Sequence, residues 1–99
     1  MPEFFTIDMF SGHVGTKFLM HCGESQTAEL ELQSVRDVGS SARQQQFSLV
    51  FLGPENAPLA QGIYRVGHDA LGELSLFLVP IGKDNSGVSY EAVFNRVIE

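Results

Sequence analysis

The sequence predicts an all-β fold: a small, strongly bent antiparallel barrel of five to six strands with a short helix at its N-terminus. Three observations point there. Apolar and polar residues alternate over 27–38 and 88–98, and the runs at 46–53 and 73–80 are apolar on both faces. Gly, Pro, Asn, Asp and Ser punctuate the chain between these stretches, as turns require.

Taken in order, residues 2–11 predict the helix. Phe4, Phe5 and Met9 are spaced to pack against a barrel mouth, although the β-branched Thr6 and Ile7 oppose a helix. TKFLMHC (16–22) follows the glycine-bounded SGHVG and predicts the first strand. TAELELQSVRDV (27–38) predicts a half-buried second strand, with Ala28, Leu30 and Leu32 on one face and Glu29, Glu31 and Gln33 on the other. QFSLVFLG (46–53), QGIYRVGH (61–68) and ELSLFLVP (73–80) predict strands bounded by Gly and Pro. VSYEAVFNRVI (88–98) closes the series, with Tyr90, Ala92 and Phe94 on one side. The connections are short, so the topology is expected to be mostly meander, with Gly62, Gly67 and Gly72 permitting bends or bulges.

Strands apolar on both faces cannot leave one face in water. Either the sheet closes on itself as a barrel or a partner covers it. Leu76, Phe77, Leu78 and Val79 are therefore expected to form a core-or-interface set, and alternation alone does not say which of them face inward.

At 99 residues the chain fits a single domain, 1–99, in which folding hides roughly 65% of the surface exposed when unfolded. Twelve acidic residues against six basic ones give a formal charge of −6, and Arg36, Arg43, Arg65 and Arg96 are scattered. Nucleic-acid binding and anionic membrane are disfavoured by that balance, because phosphate is held by clustered cations. A lone cysteine, Cys22, precludes an internal disulfide, and the N-terminus lacks a basic region followed by an apolar one. A reducing, cytoplasmic setting is the expectation.

The blocks HVGTKF (13–18), FSLVFLGP (47–54), LAQGIYRVGH (59–68), LGELSLFLVPIG (71–82) and YEAVFN (90–95) resemble, in the same order, a bacterial small-domain family of unknown function. The resemblance covers residues 10–96 and departs at Ala60, where proline is expected. It implies a link to gene clusters for phage-tail-like collar or fibre proteins and assigns no catalytic residues. The chain also resembles a Xanthomonas protein with a variant Sm-like barrel. That resemblance implies a bent sheet assembling through its edge strands; RNA binding, the Sm-like alternative, sits poorly with the acidic balance.

No chemical motif stands out. His13, His21, His68 and Cys22 lack zinc-site spacing, and His21 and Cys22 point to opposite faces of a strand, so neither metal nor cofactor is expected. Cys22 has no neighbouring nucleophile signature, G-x-S-x-G is absent, and Glu29 with Glu31 read as a solvated strand face. No enzymatic activity is expected, although dispersed catalytic residues meeting only in space remain an alternative. His68, ending a strand before DALG, is the polar residue with the best claim to a special role, and its ring is expected to hydrogen-bond the turn that Asp69 caps and Gly72 ends. The reading that best fits the whole is a non-catalytic interaction module forming a homo-oligomer, with other protein partners also accommodated.

Overall fold

The computed structural model describes residues 6–23, 25–39 and 41–97. A short helix, α1 (Ile7–Ser11), precedes six antiparallel strands: β1 (Lys17–His21), β2 (Thr27–Asp37), β3 (Gln44–Gly53), β4 (Gly62–His68), β5 (Gly72–Asp84) and β6 (Gly87–Val97). They close into a barrel in the order β1-β2-β3-β6-β5-β4. The meander expectation holds within β1–β2–β3 and within β4–β5–β6. Between those halves it fails, because β3 pairs along its length with β6, from Gln44↔Val97 to Gly53↔Val88, and not with β4.

The physical reason is visible in the loop 54–61. Ala57 is buried in the core, the Tyr64 hydroxyl donates to the Ala60 carbonyl at 2.5 Å, and the Tyr90 hydroxyl donates to the Pro58 carbonyl. Two tyrosines from two strands thus hold the loop across one end of the barrel, and β4 starts on its far side. Burial, then Tyr64 and Cys22, push the Tyr90 phenol up to about 12. Tyr90→Phe leaves the Pro58 carbonyl without this donor and is expected to cost about 1–2 kcal/mol. Urea unfolding checks it; an unchanged midpoint would mean that the loop is held by packing alone.

Closure also answers the problem of two apolar faces. On β5, Leu74, Leu76 and Leu78 point into the barrel while Glu73, Ser75 and Phe77 point out, so the run is one-faced with Phe77 as an exposed exception. Of the set 76–79, Leu76 and Leu78 are core, Phe77 is 52% exposed and Val79 is half-buried. The bends do not fall at Gly62 or Gly67. Register slips lie instead in β2 between Leu32 and Ser34 and in β5 between Pro80 and Gly82, because a bulge needs an extra unpaired residue and not a missing side chain. Gly72 takes φ +76° where β5 begins.

The interior is filled with side chains from every strand, among them Phe18, Met20, Leu30, Leu32, Phe47, Leu49, Phe51, Val66 and Tyr90. α1 caps the other end. Thr6 accepts the Met9 amide at 3.3 Å as its N-cap, and Phe10, fully buried, stacks with Phe94 (6.0 Å between centroids) and sits 6.2 Å from Phe47. Met9 packs half-buried against the same core, as expected of it, whereas Phe4 and Phe5 lie outside the described residues.

Candidate functional site

With the interior occupied, any chemistry must sit on the outside or at the ends. The polar residue singled out in the sequence, His68, ends β4 and is half-buried beside His13 and Thr16 of the connection from α1 to β1. Its Nδ1 accepts the amides of Ala70 (3.0 Å) and Leu71 (3.2 Å). The imidazole itself, and not Asp69, therefore caps the turn between β4 and β5. Its Nε2 lies 3.0 Å from the Thr16 hydroxyl, which donates to the His13 carbonyl at 2.6 Å.

This network fixes the proton. Nδ1 receives two N–H donors and can carry no hydrogen, so in the neutral ring Nε2 holds it and donates to Thr16 Oγ1. The ring packs on Phe18 (4.4 Å between centroids) and meets His13 edge-on at 4.7 Å. Burial lowers the His68 pKa from its ordinary 6.5 and the charge of His13 lowers it further, while Asp69 opposes them.

A depressed pKa in the folded state means that the unfolded chain binds the proton better. The stability due to the neutral ring is then complete above about pH 6.5 and is lost as pH falls through the lower folded value. Thermal unfolding is expected at progressively lower temperature below pH 6.5. In His68→Asn the carboxamide oxygen replaces Nδ1 as acceptor without titrating, and this part of the pH dependence is expected to vanish. The same acid slope in both proteins would remove His68 from the account.

The remaining candidates are not brought together. His21 Nε2 is 4.0 Å from Glu73 Oε2 on the outer wall, whereas Cys22 packs against the core with Sγ 3.7 Å from the Met20 carbonyl. The two adjacent residues do point apart. Burial pushes the Cys22 thiol up, which lowers its thiolate fraction and its nucleophilicity. Glu29 and Glu31 are exposed on β2, with Lys17 Nζ 3.3 Å from Glu29. Among the described residues no group of three or more His, Cys, Asp or Glu is placed to hold a metal ion. A hollow of about 670 Å³ on the outer wall is lined by Lys17, Leu19, His21, Glu29, His68 and Glu73, mixing both charges with the apolar Leu19.

The sequence placed Phe77 in a core-or-interface set and missed its exposed apolar neighbour across the sheet. Ile63 on β4 stands directly opposite Phe77 on β5, and both face outward, 75% and 52% exposed. The signal was present in the alternation of GIYRVGH against ELSLFLVP, but reading it needs the register of the two strands. No described helix is long and apolar enough to cross a membrane.

No curated protein and no solved structure matches the chain. A family model does, over residues 5–94, nearly the whole of the folded barrel. The chain belongs to the DUF6916 family, a domain of unknown function.

Proposed function

We propose that this domain is a non-catalytic protein-interaction module that self-associates and serves a larger assembly, of the collar or fibre kind that the sequence resemblance suggests. The observation that carries the reading is the Ile63–Phe77 pair on the outer wall of a barrel whose interior is already full. An apolar cross-strand pair left in water is poorly placed for a soluble monomer and well placed for a contact, since burying each side chain is worth about 1.5–3 kcal/mol. A second copy is the simplest partner, because it needs no further component. The acidic charge of −6 supports protein rather than nucleic acid as the thing bound. The free, half-buried Cys22 fits a reducing compartment such as the cytoplasm.

Sedimentation velocity of the wild-type chain over a concentration series reaching tens of micromolar tests this. A mass above that of one chain, rising with concentration, is expected. A single 10.9 kDa species throughout would end the self-association reading.

A further inference from the structure

The outward-facing residues of β4 and β5 pair as Ile63↔Phe77, Arg65↔Ser75 and Gly67↔Glu73. Along the hairpin the rows therefore pass from two large apolar side chains, through a polar pair, to a glycine beside a carboxylate. The last row continues onto β1, which meets β4 at Leu19↔Gly67 and Met20↔Val66. One end of this face is a knob. The other end is a gap, because Gly67 puts no side chain between Leu19 and Glu73, and a Cβ built there would meet nothing within 4 Å. The gap forms part of the hollow of about 670 Å³ on the outer wall.

The charges on the rim of that hollow are largely matched to one another. Lys17 Nζ lies 3.3 Å from Glu29, and Glu73 is approached by Arg65 at 3.6 Å and by His21 at 4.0 Å. Asp69 stands at the far end, in the turn to β5. Between these groups the exposed side chain of Leu19 offers apolar surface. The hollow thus suits an apolar side chain better than an ion. Its size is ample for one, since a cavity of about 150 Å³ already holds benzene.

We infer that the outer face of β4 and β5 packs against the same face of a second copy across a two-fold axis, with Ile63 and Phe77 of each copy seated in the hollow over Gly67 of the other. The inference rests on the self-association proposed above and gives it a geometry. Knob and hollow stand four residues apart on both strands, roughly 13 Å at the usual rise per residue, and the Arg65↔Ser75 row lies midway between them. A two-fold axis lying between the faces and crossing the strands at that row turns one hairpin end for end over the other. Both knobs then reach both hollows at once. This is the self-complementarity a two-fold contact demands, in which residue i meets j and j meets i. The same rotation leaves each Arg65 midway between Glu73 of its own chain and Glu73 of the other. Two guanidiniums and two carboxylates surround the axis, with no net charge. The contact joins faces of the sheet, adds no strand to it and stops at two chains.

The test uses the full chain and two kinds of variant. Gly67→Val fills the hollow while leaving Ile63 and Phe77 untouched, and a β-branched residue at an open, outward strand position should leave melting unchanged or raise it. Sedimentation velocity is expected to show its association weakened by about tenfold or more, against a wild type that reaches twice the mass of one chain and no more. Arg65→Glu and Glu73→Arg form the second arm, which decides alone should valine unfold the chain. Each of these by itself surrounds the axis with four like charges and is expected to be monomeric. Their equimolar mixture restores two carboxylates facing two guanidiniums and is expected to return to a dimer. A wild type that associates while Gly67→Val, folded, associates equally well, or while the charge-swapped mixture stays monomeric, overturns the face-to-face pairing and leaves self-association standing. So does a wild type that grows past two chains. A monomeric wild type removes both.

Discussion

Leu78→Asp is expected to abolish folding, whereas Phe77→Asp, one residue earlier on the same strand, is expected to leave a folded chain. Leu78 is fully buried, so its replacement puts a carboxylate with no partner among Leu, Phe and Tyr side chains and removes a packed leucine as well. The loss of packing alone runs to about 2–5 kcal/mol. The unpaired charge adds several more, against a total stability of about 5–15 kcal/mol for a domain of ordinary stability. Phe77 loses only a contact with Ile63 across the strand, worth up to about 1 kcal/mol. Far-UV circular dichroism with urea titration reads both at once. Equal destabilisation at the two positions would mean that β5 is not one-faced and that the inward set has been misassigned.

Gly87→Ala is expected to be nearly as severe, although it adds a single carbon. Gly87 opens β6 at φ +134°, a conformation that side chains rarely adopt, and an added Cβ would lie 1.9 Å from the Gly53 carbonyl oxygen. That oxygen belongs to the backbone of β3 and cannot swing aside as a side chain could. Strain in such a region costs about 1–3 kcal/mol, and relieving the clash requires the β3–β6 ladder to part beside Gly53↔Val88. A total of roughly 3–5 kcal/mol places the change among the exceptional single substitutions. Gly62→Ala is the control, since nothing lies within 4 Å of its Cβ position and its φ is ordinary. It is expected to change stability by about 1 kcal/mol or less. A Gly87→Ala protein melting within a few degrees of wild type would contradict the close approach.

Each strand could be read in the sequence because each carries its own alternation and turn residues. Thr27–Asp37 and Gly87–Val97 match the expected 27–38 and 88–98 almost to the residue. β5 runs on to Asp84, past the Pro80 at which the sequence reading stopped it. Proline ends a strand only where its missing N–H is needed, and Pro80 sits beside a register slip. The neighbour order was not legible: the long β3–β6 ladder depends on how the loop 54–61 crosses the barrel end, and that depends on Tyr64 and Tyr90 reaching its carbonyls. Within the site, the choice of His68 was legible from its place at a strand end. Its partner Thr16 was not, because the two are joined only when β1 closes onto β4. Exposure of Phe77 likewise needed a register before it could be separated from Leu76 and Leu78.

The uneven ladders also set an order of opening. β1–β2–β3 and β4–β5–β6 are each built from neighbours in sequence and can form early, while the two halves join at the long β3–β6 ladder and again at Leu19↔Gly67 and Met20↔Val66. Contacts between distant parts of a chain carry the larger loop-closure entropy and form late. Both joints are of that kind, and length separates them: the ten-pair β3–β6 ladder is expected to exchange its amides only with global unfolding, while the two-pair joint at Leu19↔Gly67 and Met20↔Val66 exchanges first through a local excursion. That excursion is not free, since it uncovers Phe18 and Met20 and pulls Thr16 from His68. The short β1–β4 seam is thus held mainly by buried side chains and one histidine, and acid should loosen it before the rest of the ring.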